Sequence, residues 1–284
     1  MKKIFYSILT IVTALSIASC DYNNPNEDKF GLDSESGWLE FEVANTYVIS
    51  GLQTEFTVPV KLMAPTNKSG LSFNYTITDV EGTLEGVIGY TGTGSVPKNS
   101  VDGSIVFTLP EAELTSCVSF TITLTSTSRS NVQIGLEDNS KPITHTVTVG
   151  RGRNFLLGNY NTIEDGTFTY TTVVSAGEAP NEIIVNNIYD ANPDSETQLF
   201  LQAVSRSANG MVSYPNFLGN YLFTNSNVGD LYVSNDYSTF FDEEAPASTI
   251  DACSGVFDLN FFLVYGDPGA YETTNTINVV MTKQ

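Results

Sequence analysis

The sequence predicts an all-β chain: two antiparallel β-domains, a β-sandwich followed by a second β-sandwich or small barrel, behind an N-terminal signal and a flexible tether. Three observations lead there. Apolar and polar residues alternate with period two through most of the chain, the mark of half-buried strands. Long stretches of helical period are missing, and Thr, Val, Tyr, Phe, Asn and Gly dominate. The character of the chain also changes twice, once at Cys20 and once at Gly150–Asn154.

The first change separates a leader from the rest. Met1-Lys2-Lys3 is basic, and Ile4 to Ala18 is apolar but diluted by Ser and Thr. That run is shorter than the roughly 20 residues of a membrane span. A basic start, a short apolar run and small residues before a cleavage point describe a secretory signal peptide over residues 1–19. Residues 20–36 are rich in Asp, Asn, Pro, Glu and Ser. They bury too little apolar surface to offset chain entropy, so a disordered tether is expected.

Strands fill residues 37–150. In "EFTVPVKLM", Phe56, Val58, Val60 and Leu62 share a face; in "LSFNYTITDV" it is Leu71, Phe73, Tyr75 and Ile77. "SIVFTLPE" and "SCVSFTITLTS" alternate likewise, the latter through Val118, Phe120, Ile122 and Leu124. "PITHTVTVG" closes the set with Ile143, His145, Val147 and Val149. Turn-formers such as "APTNKSG" and "DVEGT" separate these runs. About seven short strands in some 110 residues read as a β-sandwich.

"GRGRN" then marks the boundary, and residues 154–284 form the second domain. Its strands ("GTFTYTTVV", "NEIIVNNIY", "TQLFLQAV", "LYVSN", "VFDLNFFLVYG", "TINVVMT") are short and mostly end in Asn, Asp or Gly. A second antiparallel sandwich or small barrel is expected.

Charge excludes some partners. The chain carries 12 Lys and Arg against 32 Asp and Glu. Loss of the leader removes two lysines and no acids, leaving a net charge of −22. Nucleic acid is excluded, because its binders neutralise phosphates with Lys and Arg. Anionic lipid and polyanions are disfavoured for the same reason.

Chemistry is sparse. His145 is the single histidine and shares a strand face with Ile143 and Val147, which places it in or beside the core. No Gly-x-Ser-x-Gly elbow and no phosphate-cradling glycine loop is present. With 32 acids, some carboxylate pair is always available, so pairing alone carries no glycosidase signal. The chain is therefore read as a non-enzyme. Cys117 and Cys253 are 136 positions apart; pairing and two free thiols both stay open.

Two stretches stand out as candidate sites. "YDANPDSETQ" places Asp190, Asn192, Asp194 and Glu196 at a spacing of two, the beginning of a calcium loop. The sixth position is Ser195 and the twelfth Leu201, not the Gly and Glu such a loop needs, and an Asn-Pro-Asp turn explains the run without an ion. Calcium is the one cofactor this leaves open. The other stretch is Tyr214 to Phe241, aromatic residues set among Asn, Asp and Ser. Aromatic faces stack on sugar rings while amides and carboxylates take the hydroxyls. Aromatic side chains also fill β-cores and cross-strand pairs. Tyr214, Phe217, Tyr237 and Phe240 flank turns and are the expected exposed ligand-binding residues.

Several segments resemble known families. Ile17-Ala18-Ser19-Cys20 resembles a bacterial lipobox, which implies cleavage before Cys20, lipidation of Cys20 and a lipid anchor in a membrane. "TEFTVPVKL", "NYTITDVEGT", "SIVFTLPE" and "SFTITLTSTSRSNVQIGLEDNSKPITHTVTV" resemble a Calx-β domain, which implies an Ig-like sandwich over roughly residues 38–149. Calx-β domains hold calcium on acidic loops. Here Asp79, Glu81, Asp102, Glu111, Glu113, Glu137 and Asp138 are scattered, so the resemblance carries the fold and not the ion. The whole arrangement is similar to Bacteroidetes lipoproteins whose C-terminal β-domain opens on a Gly-x-Tyr turn, as at Gly158-Asn159-Tyr160. Proteins of that kind stand beside outer-membrane glycan-uptake systems. The resemblance implies an outer-membrane lipoprotein, facing the cell surface or the periplasm, that binds glycan. The alternative is a structural subunit binding an outer-membrane protein partner; a glycoside hydrolase ranks third.

Overall fold

The computed structural model describes residues 34–136, 140–190, 194–215, 217–241, 246–267 and 270–284, and the side chain of Tyr237 is outside the description. The leader, Cys20, most of the tether, Glu137, Asp138 and Asn192 also lie outside it. Ser34 accepts the Thr66 N–H, while the Glu35 carboxylate accepts the N–H groups of Lys68 and Ser69 and pairs with Arg129 at 3.2 Å. Three backbone donors and a guanidinium pin these residues to the first domain. Among the described residues, no helix is long and apolar enough to cross a membrane.

The first domain comprises β1 (Gly37–Phe41), β2 (Asn45–Ile49), β3 (Glu55–Met63), β4 (Leu71–Glu81), β5 (Thr93–Val96), β6 (Asp102–Thr108), β7 (Val118–Thr127), β8 (Val132–Ile134) and β9 (Thr144–Gly150). The expected alternation is observed. On β3, Phe56, Val58, Val60 and Leu62 are buried while the residues between them are exposed or half-buried; on β7 it is Val118, Phe120, Ile122 and Leu124. The strands run in the order β2-β9-β7-β4-β5-β6-β3-β1-β8, so one sheet curls over through β5 to face itself. Phe107 of β6 joins the two halves, 5.1 Å from Phe56 and 5.4 Å from Phe120 between ring centroids.

His145 faces this core as expected. Nδ1 lies 2.7 Å from the Val43 carbonyl and Nε2 3.0 Å from Thr46 Oγ1. A carbonyl only accepts, so Nδ1 carries the proton and Nε2 accepts from the threonine. Burial favours this neutral form and lowers the pKa.

The second domain begins with a one-turn helix, α1 (Arg153–Leu156). Its strands are β10 (Gly158–Glu164), β11 (Phe168–Ala176), β12 (Glu182–Asn186), β13 (Glu196–Leu201), β14 (Val204–Ser205), β15 (Gly210–Ser213), β16 (Asn220–Asn225), β17 (Gly229–Ser234), β18 (Ser248–Asp251), β19 (Val256–Tyr265), β20 (Glu272–Thr273) and β21 (Ile277–Lys283). Of the two expected architectures, the barrel is observed. β10, β11, β12, β13, β15, β18, β19 and β21 pair in sequence, all antiparallel, and β21 returns to β10 with Tyr160 opposite Lys283. Full closure removes the exposed edges of an open sheet. Large inward side chains, among them Tyr160, Tyr214, Phe257 and Phe261, belong to one buried cluster.

The two domains are built into each other. β2 is buried on both faces: Val48 faces the sandwich core, while Tyr47 and Ile49 belong to the barrel cluster. Successive strand residues point to opposite sides, and "TYVI" lacks alternation because neither side meets water. The Tyr47 hydroxyl accepts the Ala252 N–H at 2.8 Å and donates to Asp251 at 3.2 Å. β14 leaves the barrel to pair with β2, Val204 opposite Val48. Cys117 and Cys253 form a disulfide across the junction, with Cα atoms 5.7 Å apart.

Candidate functional site

The site is built on the hairpin β16–β17. Asn225 and Gly229 pair across a three-residue turn, and Gly229 adopts φ +83, the left-handed residue such turns demand. The Asn225 side chain accepts the Asn227 N–H at 2.8 Å and fixes the turn. Alternation then gives the hairpin two different faces. Leu222, Leu231 and Val233 join the barrel cluster, whereas Tyr221 and Tyr232 meet edge to face at 5.9 Å on the other side.

β17 pairs with the second half of β19, which brings the chain beyond Tyr265 alongside the hairpin. Gly266, at φ +103, turns that segment; a Cβ there would meet the Ala270 carbonyl oxygen at 2.9 Å. The result is an open cleft of about 590 Å³ between Asn227, Val228, Gly229, Asp230 and Tyr232 on one bank and Gly266, Asp267 and Tyr271 on the other. Two phenols, two carboxylates and an amide line it. Among the described residues, no Lys, Arg, His or Cys does.

Packing behind the cleft holds its parts. Phe217 meets Tyr271 edge to face at 5.5 Å and lies 5.1 Å from Phe240, which in turn meets Phe262 at 5.7 Å. Asp230 accepts from Thr224 Oγ1 at 2.6 Å, and Thr224 is also bonded to the Tyr221 hydroxyl at 2.8 Å. Desolvation and the neighbouring Asp230 raise the Tyr232 pKa, keeping a neutral hydroxyl that both donates and accepts.

The residues singled out in the sequence fall differently. Tyr214 was expected to be exposed but is buried in the barrel, its hydroxyl 3.4 Å from Ser248 Oγ. A polar partner inside the barrel is what lets the phenol sit there. Phe217 and Phe240 are half-buried: Phe217 packs on Tyr271, and Phe240 packs on Phe217 and Phe262. Tyr237 opens a short 3-10 turn, Tyr237–Thr239. In the acidic stretch, Asp190 has φ +48 and accepts from the Asn187 side chain at 3.4 Å, while Asp194 and Glu196 are exposed. Among the described residues, no group of three or more His, Cys, Asp or Glu is placed to hold a metal ion. Asn227, Asp230 and Tyr232 lie within the Tyr214–Phe241 stretch but are not among the four residues picked out there, and Asp267 and Tyr271 lie beyond it. A signal existed in two turn motifs, "NSNVGD" and "YGDPGAY", each with a tyrosine close by.

No family model matches the chain, and no curated protein matches it. The chain is similar to a number of solved structures, among them two from Calx and one from Bacteroides. The apo-form Calx CBD1 domain is 19% identical, with 39% of this chain and 94% of that chain covered and a TM-score of 0.31. The calcium binding domain CBD12 of CALX1.1 is 13% identical, with 82% of each chain covered and a TM-score of 0.32. An auxiliary nutrient binding protein from Bacteroides thetaiotaomicron VPI-5482 is 10% identical, with 84% of this chain and 90% of that chain covered and a TM-score of 0.31. These scores are low, and function has to come from the cleft's own chemistry.

Proposed function

We propose that this chain is a non-catalytic glycan-binding lipoprotein, anchored through Cys20 to an outer membrane and presenting its barrel domain to a neutral polysaccharide. One observation carries the reading: Tyr232 and Tyr271 share a cleft with Asn227, Asp230 and Asp267. Aromatic faces cover the apolar face of a sugar ring, and amide and carboxylate oxygens take its hydroxyls. The carboxylates, in a chain of net charge −22 once the leader is lost, select against anionic polymers. The proposal gives Asp230 and Asp267 the role of hydroxyl acceptors in an open cleft, not that of an acid and a nucleophile.

The test is calorimetry and affinity electrophoresis of the soluble chain beginning at Asp21, without the anchor, against a panel of neutral polysaccharides. Tyr232→Ala and Tyr271→Ala should each weaken binding about tenfold or more with an unchanged melting curve. Calcium dependence of that binding would bring Asp190, Asn192, Asp194 and Glu196 into the site. Failure to bind any polysaccharide overturns the glycan reading in favour of an outer-membrane protein partner. Phe168, 64% exposed at the tip of the β10–β11 hairpin, is the feature that favours the partner reading.

A further inference from the structure

The first domain carries an opening in its own sheet. β5 and β6 pair at Ser95 and Ser104, and the chain before β5 touches β6 again at a bridge between Gly89 and Thr108. Between these two points the strands diverge around a groove of about 640 Å³. Its banks include Tyr90, Thr91 and Thr93 on one side and Ser104, Val106 and Thr108 on the other.

Strand geometry says what the backbone does there. In an antiparallel ladder, a residue turns its N–H and C=O to one neighbouring strand and the next residue turns them to the other. Thr108 exchanges both bonds with Gly89, at 2.9 and 3.0 Å, so its groups face the β5 side. Pro59, which has no N–H to give, is the β3 partner of Ser104. That pair is therefore of the kind not bonded to each other, and Ser104 also turns away from β3. Val106 lies between Ser104 and Thr108 with the same parity. Its main-chain donor and acceptor accordingly point into the groove.

The side chains define the rest. Tyr90 is 48% and Val106 43% exposed. The Tyr90 ring is steadied by Phe107 beneath it, 6.4 Å between centroids. The remaining polar lining is Ser and Thr hydroxyl, each able to donate and accept, and among the described residues no Asp, Glu, Lys, Arg or His contributes. The opening spans four residue steps, roughly 13 Å at 3.3–3.4 Å per step, and is pinned at both ends. An added peptide strand needs to run out past the ends; a ligand of one or two sugar rings does not.

We infer that this opening between β5 and β6 is a second binding site, for a neutral, hydroxyl-rich ligand of mono- or disaccharide width, independent of the Tyr232–Tyr271 cleft. An aromatic face, a short apolar surface, hydroxyls and one main-chain donor–acceptor pair are what such a ring requires. The uncharged lining in an acidic protein leaves an anion nothing to pair with.

The test is an NMR titration of the isotopically labelled soluble chain beginning at Asp21 with cellohexaose, xylohexaose, mannohexaose and maltohexaose. At least one should shift the amides of Tyr90, Thr93 and Val106, and should still do so in a Tyr232→Ala/Tyr271→Ala background. Tyr90→Ala should weaken this binding about tenfold, and Val106→Asp, a change at an exposed position, should abolish it while the rest of the spectrum is kept. Groove shifts that vanish in the Tyr232→Ala/Tyr271→Ala background would refute independence. Shifts confined to the Tyr232 cleft would overturn this inference and leave the proposed function standing. No shift at the groove with any of the four sugars, or shifts unaffected by Val106→Asp, would also overturn it.

Discussion

The two halves of this molecule solve the same problem in opposite ways. The sandwich is one open sheet curled through β5, and it keeps free edges and a parted ladder between β5 and β6. The barrel closes strand by strand and keeps no edge on its wall. Yet neither is complete alone. The sandwich takes its last edge strand, β14, from the barrel's chain, and the barrel cluster takes Tyr47 and Ile49 from the sandwich. The difference teaches that openings for ligands lie where pairing is incomplete: at the parted ladder in one half, and beside a hairpin outside the wall in the other.

The junction gives the largest way to break this comparison. Tyr47 is 2% exposed, and its hydroxyl is the acceptor for the Ala252 N–H. Tyr47→Ala should cost about 3–5 kcal/mol, the range for truncating a buried aromatic side chain. Trp38, the one tryptophan, is buried in the first domain, so its fluorescence reports that half alone. In the wild type, Trp38 fluorescence and far-UV circular dichroism should unfold together in urea. In Tyr47→Ala the dichroism should shift to lower urea ahead of the fluorescence. Coincident, unshifted curves would show that the barrel does not need its neighbour.

The disulfide ranks next. Cys117 and Cys253 tie residues 136 apart, one in each half. Cross-linking so long a loop restricts the unfolded chain, and removal of a native bridge typically costs about 2–4 kcal/mol. Cys117→Ser/Cys253→Ser should lower the urea midpoint with the fold retained, since Tyr47 and β14 still join the halves. A midpoint equal to wild type would mean that these non-covalent contacts already hold the junction.

Legibility in the sequence follows the same division. β3, β4, β7 and β9 each have one wet and one dry face, so their alternation was plain, and so was the place of His145. β2 has no wet face, and "NTYVI" carries no alternation to read. The choice between barrel and sandwich was open because closure rests on β21 meeting β10, Lys283 opposite Tyr160, and local patterns are silent about partners so far apart. The cleft was half legible. Aromatic density pointed to the right stretch, but burial took Tyr214 away, and Tyr271 arrives only through the pairing of β17 with β19. Inward and outward aromatics look alike until the barrel wall is known.

The smallest effect sharpens the comparison from inside the sandwich. His145 sits neutral between the Val43 carbonyl and Thr46, and burial lowers its pKa. The unfolded chain takes up a proton as pH falls below about 6.5, while the folded chain resists until its own lower pKa is reached. Below about 6.5 the unfolded state therefore binds more protons, and stability rises with pH and falls as the solution is acidified. One such site contributes at most about 1.4 kcal/mol per pH unit. Urea midpoints followed by Trp38 fluorescence should decline from pH 7 to pH 5. His145→Asn keeps a donor for Val43 and cannot titrate, so its midpoint should fall less steeply over the same range. Parallel slopes in the two proteins would assign the acid sensitivity to carboxylates instead, and the buried imidazole would then be a packing group with no effect on pH dependence.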